Sequence, residues 1–246
     1  MVEARSRIVT GQITFDSMGA PSTCGIRAVE QTAGHGQRGR VWHATRGESL
    51  TVTYYIRHSF ALPQQAGRVP IMAGVAASGV LRSLLNLDVR LKWPNDMIIG
   101  DKKVGGILVE MVRDSSGLSA ALVGIGVNVF QKDFPQDISR SATSLVIEAG
   151  SSLETLIPSV EDLAQAIGTE LDSFARVQSG TAFSQWIETW RELDGYRGRQ
   201  YVTRHDGGRV IGTAVGIDGD GALLLQLNDT SVITVSSASS LQDVDI

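Results

Sequence analysis

Lys92-Trp93-Pro94-Asn95-Asp96 and, a few residues on, Lys103-Val104-Gly105-Gly106-Ile107-Leu108-Val109-Glu110 decide how this chain is read. A rigid polar pentad sits between apolar strands, and a lysine then precedes two glycines that open another strand. Burying lysine, asparagine and aspartate among apolar strands is costly unless they are paired or hold a ligand. Pro94 fixes its own φ and biases Trp93 toward extended backbone, which holds the neighbouring side chains without a helix. Two lysines and a backbone bare of side chains, converging on one place, suit a small molecule that carries carboxylate or phosphate. Asp96 is the anion of that place and could orient an incoming lysine amine, which at its ordinary pKa near ~10.4 is mostly protonated and a poor nucleophile. The plainer reading of Lys92 and Asp96 is a structural ion pair.

Outward from this core the periodicity alternates. Ile8 to Phe15, Ile26 to Gln31 and Ser49 to Ile56 read as strands. Met72, Val75, Ala76, Val80, Leu84 and Leu85 recur at helical spacing, so Val69 to Leu87 is expected to be a helix. Strands follow at Val89 to Trp93, Met97 to Ile99, Val104 to Val112 and Ala120 to Val129. Ser159, with Glu161 and Asp162 behind it, has the spacing of a capped helix start. Phe183, Trp186, Ile187 and Trp190 mark a second helical face. From about Gly195 short β segments take over: Tyr201 to Arg204, Arg209 to Ile217, Ala222 to Leu227 and Ser231 to Val235, a small antiparallel barrel or sandwich.

Composition sets limits. The chain has 246 residues, 42% of them hydrophobic, enough for one large domain and a small one. A formal charge of −4 argues against nucleic-acid binding by bulk electrostatics. Cys24 is the only cysteine, so no internal disulfide forms, which fits a reducing compartment. No apolar run approaches the roughly 18 residues of a membrane span, and the N-terminus lacks the apolar core of a secretory signal. The expectation is a cytoplasmic protein that engages no membrane and no nucleic acid. His43, His58 and His205 are scattered without metal-ligand spacing.

Gly34-His35-Gly36-Gln37-Arg38-Gly39 matches G-x-G-x-x-G, but a dinucleotide fingerprint needs a helix to open there, and Arg40 to Gly47 is a poor helix. The better reading is a glycine loop whose amides, with Arg38 and Arg40, can close over phosphate. An exposed basic loop is the plain alternative.

These segments together resemble the biotin protein ligases, which adenylate biotin and pass it to a carrier-protein lysine. The family pattern Q-x-A-G-R-G-R-x-G-R-x-W is matched by Gln31-Thr32-Ala33-Gly34-His35-Gly36-Gln37-Arg38-Gly39-Arg40-Val41-Trp42. Further matches are the pentad, the Lys103 to Glu110 run, Gly124-Ile125-Gly126-Val127-Asn128, and Gly212 to Leu223, where the family has G-x-x-x-G-I-D-x-x-G-x-L. The resemblance implies that Gln31, Gly34 and His35 meet the biotin head, and that Gly106, Ile107, Leu108 and Gly124 line its slot. It implies that Lys103 contacts the biotin carboxylate and later the acyl-phosphate oxygens. Arg38 and Arg40 would belong to a loop that orders over the adenylate, while Trp42, Asn95 and Asn128 would meet the nucleotide. Lys92 and Asp96 join Lys103, Arg38 and Arg40 as catalytic candidates.

Two departures stand out. His35 and Gln37 occupy positions where the family usually has arginine. Upstream, Asp16-Ser17-Met18 looks like the remnant of an S-T-N-like triplet, with the helix that normally follows it missing, which makes Ser17 a candidate for the biotin ureido group.

The implied architecture is α+β: a mixed β-sheet backed by helices, as in class II synthetase-like ligase domains, over residues 1–194, with a small SH3-like β barrel over residues 195–246. The expectation is a ligase domain with no DNA-reading domain before it. The implied reaction consumes ATP and biotin with Mg²⁺, forms biotinyl-5′-AMP, and biotinylates a biotin carboxyl carrier protein; a homodimer is left open. The rival is a degenerate protein of this fold that binds biotin or its adenylate without efficient ligation.

Overall fold

β-Branched and aromatic segments form two sheets, and the helical periodicities cover one of them. The computed structural model describes residues 23–31, 34–57, 67–113, 119–151, 153–176, 180–205, 207–237 and 241–243. The strand expected at Ile8 to Phe15, and Ser17 after it, lie outside the described residues. The larger sheet contains β1 (Thr23–Arg27), β2 (Ser49–Arg57), β3 (Val89–Lys92), β4 (Asp96–Ile99), β5 (Lys102–Arg113) and β6 (Ser119–Asn128), in the order β1-β2-β6-β5-β4-β3. Its named pairs are all antiparallel. The expected mixture of directions is confined to two isolated parallel bridges, Leu91 with Asp194 and Lys103 with Ala142.

Helices α1 (Arg68–Leu85), α3 (Val160–Arg176) and α4 (Gly180–Leu193) cover one face of this sheet; the short α2 (Leu145–Ala149) follows β6. α1 lies on β3, β5 and β6 with Leu81, Ala73 and Ala77 fully buried. Burying a leucine side chain contributes roughly 1.5–3 kcal/mol. At Gly74 the helix crosses so near the sheet that an added Cβ would lie 3.1 Å from Leu91 Cδ2. α1 is also long and apolar enough, by length and composition, to cross a membrane. That corrects the expectation that no such run exists, but 56% of the helix is buried inside the protein, as a core helix should be. In α3 the Ser159 hydroxyl accepts from Asp162 N–H at 3.1 Å, the cap read from the sequence. Tyr54 of β2 donates to the Ala164 carbonyl at 2.6 Å, and burial pushes its phenol pKa well above the usual range.

The expected strand at Ile26 to Gln31 starts and ends earlier, at Thr23–Arg27. Ala28 is still tied to Thr51 through both its N–H and its carbonyl, each at 2.9 Å, after which the chain leaves the sheet for the glycine loop. α2 was not foreseen; it is capped by the Ser144 hydroxyl, which accepts from Ile147 N–H at 3.3 Å.

The second sheet holds β7 (Gln200–His205), β8 (Gly208–Ile217), β9 (Leu223–Leu227), β10 (Val232–Val235) and β11 (Gln242–Asp243), in the order β10-β9-β8-β7-β11 and antiparallel throughout. Its β8–β9 turn is organised by Asp218, whose Oδ1 accepts from the N–H groups of Asp220 and Ala222 at 2.9 Å each. This turn reaches the turn between β3 and β4 and the start of α1: Trp93 Nε1 donates to the Gly221 carbonyl, and Arg68 bonds Asp220. One hydrophobic core runs through both sheets.

Candidate active site

The site begins with a misfit between β4 and β5. Asp96 faces Gly106 and Met97 faces Gly105, but the next pair is Ile98 with Lys103, so Val104 is an extra residue in β5. Such a bulge reverses the side-chain alternation beyond it. Lys103 therefore shares a face with Gly106 instead of Gly105, and Val104 and Gly105 are both buried. Lys103, next to the bulged residue, is bonded on its other side: its N–H donates to the Ser141 carbonyl at 2.8 Å, and its carbonyl accepts from Thr143 N–H at 2.9 Å.

On that face Lys103 Nζ lies 2.5 Å from Asp96 Oδ1. Asp96, opposite Lys92 in register, thus has Lys103 as its close partner, while Lys92 Nζ lies 4.3 Å from the centre of the Tyr196 ring. Gly106 makes room for the Lys103–Asp96 pair, since a Cβ there would sit 3.1 Å from Lys103 Nζ. Asn95 is bound twice to Ile107: its carbonyl accepts from Ile107 N–H at 2.8 Å and its Nδ2 donates to the Ile107 carbonyl at 2.7 Å. These bonds hold the pentad against β5.

The glycine loop closes on itself. Gly36 N–H donates to the Arg40 carbonyl and Trp42 N–H to the Gly34 carbonyl, around a 3-10 turn at Gln37–Gly39. This short turn replaces the helix that a dinucleotide motif requires. Gly34 is buried so tightly that a Cβ would lie 2.4 Å from the Trp42 carbonyl. Trp42 in turn lies on Gly126 of β6, where a Cβ would come within 2.6 Å of the indole, and Lys103 Nζ stands 5.7 Å from the centre of the same ring.

Two cavities meet at this point. The smaller, about 150 Å³, is bounded by Gln31, His35, Gly106, Ile107, Leu108 and Gly124, among others. The larger, about 370 Å³, is bounded by Arg40, His43, Lys92, Asp96 and Asn128, by Phe134, Ile138 and Ala142 of the segment before α2, and by Tyr201 of β7 and Leu241 just before β11. Gly36, Gln37, Trp42, Asn95 and Lys103 border both. Buried Trp42 Nε1, a donor, and Asn128 Oδ1, an acceptor, have no hydrogen-bond partner among the described residues. Asn128 Nδ2 is taken by the Thr143 carbonyl at 2.8 Å.

The sequence-derived candidates are thus gathered, with qualifications. Ile107 borders the smaller cavity, yet its δ1 methyl also faces Gly74 of α1. The Arg38 side chain and Ser17 lie outside the described residues. Lys102 is exposed. The sequence reading missed Ile26, Thr51 and Val52 in the smaller cavity and the whole Phe134–Ala142 wall of the larger one. That wall has no strong periodicity; its one local signal was the Ser144 cap. Among the described residues no three His, Cys, Asp or Glu side chains gather as a metal site.

A model described as the biotin/lipoate A/B protein ligase family matches residues 4–128, and one described as the biotin protein ligase C terminal domain matches residues 201–239. The chain belongs to the biotin/lipoate A/B protein ligase family. It is 31% identical over 212 residues to the bifunctional ligase/repressor BirA of Bacillus subtilis, a match covering 85% of this chain and 63% of that protein. The chain therefore spans less than two thirds of that relative. It is 29% identical to the biotin--[acetyl-CoA-carboxylase] ligase of Paracoccus denitrificans, covering 85% of this chain and 86% of the other. Among solved structures, the biotin protein ligase from Aquifex aeolicus in complex with biotin and ATP has the same fold, with a TM-score of 0.72, 23% identity and 89% of each chain covered.

Proposed function

We propose that this chain is a biotin protein ligase that joins biotin to ATP and passes the biotinyl group to a lysine of a biotin carboxyl carrier protein. The observation that carries this reading is the meeting of two cavities at Lys103. The smaller, floored by glycines and bordered by Leu108, suits the bicyclic head and apolar chain of biotin. The larger, bordered by the Trp42 ring, Arg40, Lys92 and Asn128, has room and positive charge for a nucleotide.

In the first step a biotin carboxylate oxygen attacks the α-phosphorus of ATP, the bond to the bridging oxygen breaks, and pyrophosphate leaves with its electron pair. Two anions must approach, and the Lys103 ammonium at the junction offsets their repulsion. Mg²⁺ bound to the phosphates would neutralise part of their charge, and Asp96, a carboxylate bordering the larger cavity, would help to hold it. In the second step a lysine amine attacks the acyl carbon, AMP leaves, and Asp96 takes the amine proton. Arg40, with Arg38 in the same loop, supplies charge to the adenylate, and Gln31 and Gly34 the polar end of the biotin slot. Residues 1–194 form the catalytic unit in this reading and 195–246 the accessory unit, at work in the cytoplasm where ATP and carrier are supplied.

The test is purified protein with ATP and biotin, followed by a carrier domain. Biotin-dependent release of pyrophosphate and labelling of one carrier lysine are expected. Tight biotin binding with no pyrophosphate release would favour the degenerate binder, a reading motivated by His35 and Gln37 on the wall of the slot.

A further inference from the structure

We infer that Tyr196 is a positioning residue, which fixes the Lys92 ammonium as an anchor for the polyphosphate end of the nucleotide. The inference rests on the adenylation reading above and assigns a part of the cavity that reading leaves empty of roles. Lys92, Asp96 and Gly106 face one another across β3, β4 and β5, so Lys92 and the Lys103 ammonium stand on either side of Asp96 along one face of the sheet. Lys103 borders both cavities, whereas Lys92 borders only the larger. With the reacting carboxylate and α-phosphate at Lys103, the phosphates beyond the α position extend into the larger cavity on the Lys92 side.

Tyr196 does not line that cavity; it stands behind Lys92. Its ring centre is 4.3 Å from Lys92 Nζ and 4.3 Å from the Arg199 guanidinium carbon. Cations are drawn to the ring face by its quadrupole. The segment that carries the ring is held at three points. Gly195 N–H donates to the Leu91 carbonyl at 2.9 Å, the residue next to Lys92. Tyr196 N–H donates to Asp194 Oδ1 at 2.9 Å. Arg199 pairs with Asp101 in the turn that leads into Lys103. The segment joining α4 to the second sheet therefore sets the position of a lysine in the nucleotide cavity.

The experiment compares wild type, Tyr196→Phe, Tyr196→Leu and Lys92→Met. Calorimetry measures binding of inorganic tripolyphosphate and of AMP, and kinetics measure KM for ATP and for biotin. Tyr196→Leu should weaken tripolyphosphate binding and raise KM for ATP about 3- to 10-fold, the range of a partly desolvated cation–π contact. Its AMP affinity and KM for biotin should stay at wild-type values. Tyr196→Phe, which keeps the ring, should behave as wild type, and Tyr196→Leu should add little once Lys92 is methionine. Equal losses for AMP and tripolyphosphate, no rescue by phenylalanine, or additive effects of the two substitutions would each overturn the inference. Absence of biotin-dependent pyrophosphate release in wild type would sink the ligase reading instead, and the tripolyphosphate measurement stands apart from that result.

Discussion

The indole N–H of Trp93 donates to the carbonyl of Gly221 at 2.8 Å, a buried bond that ties the polar pentad to a turn of the second sheet. Gly221 has φ +84°, and a Cβ there would lie 2.8 Å from the Gly67 carbonyl and 2.9 Å from Ile71 Cγ1. Trp93→Phe leaves that carbonyl without its donor and should cost about 1–3 kcal/mol of stability. Gly221→Ala adds a strained backbone and a clash, and should cost at least as much. Urea unfolding monitored by far-UV circular dichroism checks both; a midpoint unchanged in Trp93→Phe would show that the bond contributes nothing.

Lys103→Ala should abolish biotin-dependent pyrophosphate release while the protein stays folded, because the side chain is partly exposed and serves charge more than packing. Lys103→Arg should also be poor. A planar fork does not replace a compact ammonium beside Gly106, where space is already short. Pyrophosphate release near the wild-type rate from either variant would remove Lys103 from the reaction.

Asp96→Asn should slow acyl transfer by about 100-fold or more, the usual scale for loss of a general base, and adenylate formation by less. Single-turnover measurements should show biotinyl-5′-AMP accumulating. Since Asp96 also holds Lys103, equal losses in the two steps would make the aspartate a positioning group for that lysine alone.

Gly126→Ala places a methyl within 2.6 Å of the Trp42 indole, a wall common to both cavities. KM should therefore rise for biotin and for ATP together. A rise for only one would show that the indole does not separate the two substrates. His35→Arg with Gln37→Arg acts in the opposite sense. Charge-assisted hydrogen bonds are worth roughly 1.5–3 kcal/mol each when buried, so biotinyl-5′-AMP should leave the double variant more slowly, as read by labelling of bystander lysines.

Asp194 carries a carboxyl whose pKa is raised, chiefly by burial, against the opposing hydrogen bond from Tyr196. The folded protein then holds this proton at pH values where the unfolded chain has released it. Its contribution to stability is complete below the unfolded carboxyl pKa and is lost as pH rises through the folded one. Asp194→Asn removes that loss. Unfolding free energy measured from acid to neutral pH should fall less steeply in the variant than in wild type; parallel curves would refute the assignment.

Much of this was legible in the residues. Helical spacing from Met72 to Leu85 fixed α1, Ser159 with Asp162 fixed the start of α3, and the two lysine-bearing motifs fell on adjoining strands. What was not legible depends on contacts between distant segments. Asp96 has Lys103 as a close partner because a bulge turns that lysine onto its face, while the Lys92 ammonium lies against an aromatic ring at position 196. The Phe134–Ala142 wall owes its place to backbone bonds with Lys103, which leave no periodic trace. β1 ends early because Ala28 is the last residue that Thr51 can bind.

The bulge at Val104 also makes this strand a matter of parity. Lys103 and Leu108 are an odd number of residues apart, which on a regular strand sets two side chains back to back; the supernumerary valine brings them round to the same side. The interval between lysine and leucine is therefore a phase as much as a length. Loss of a single residue within it would turn the remainder of the strand over, presenting Val109 where Leu108 now stands and Glu110 where Val109 packs toward the helices. Exchanges of one side chain for another in that interval should be tolerated far more readily than any change in their number.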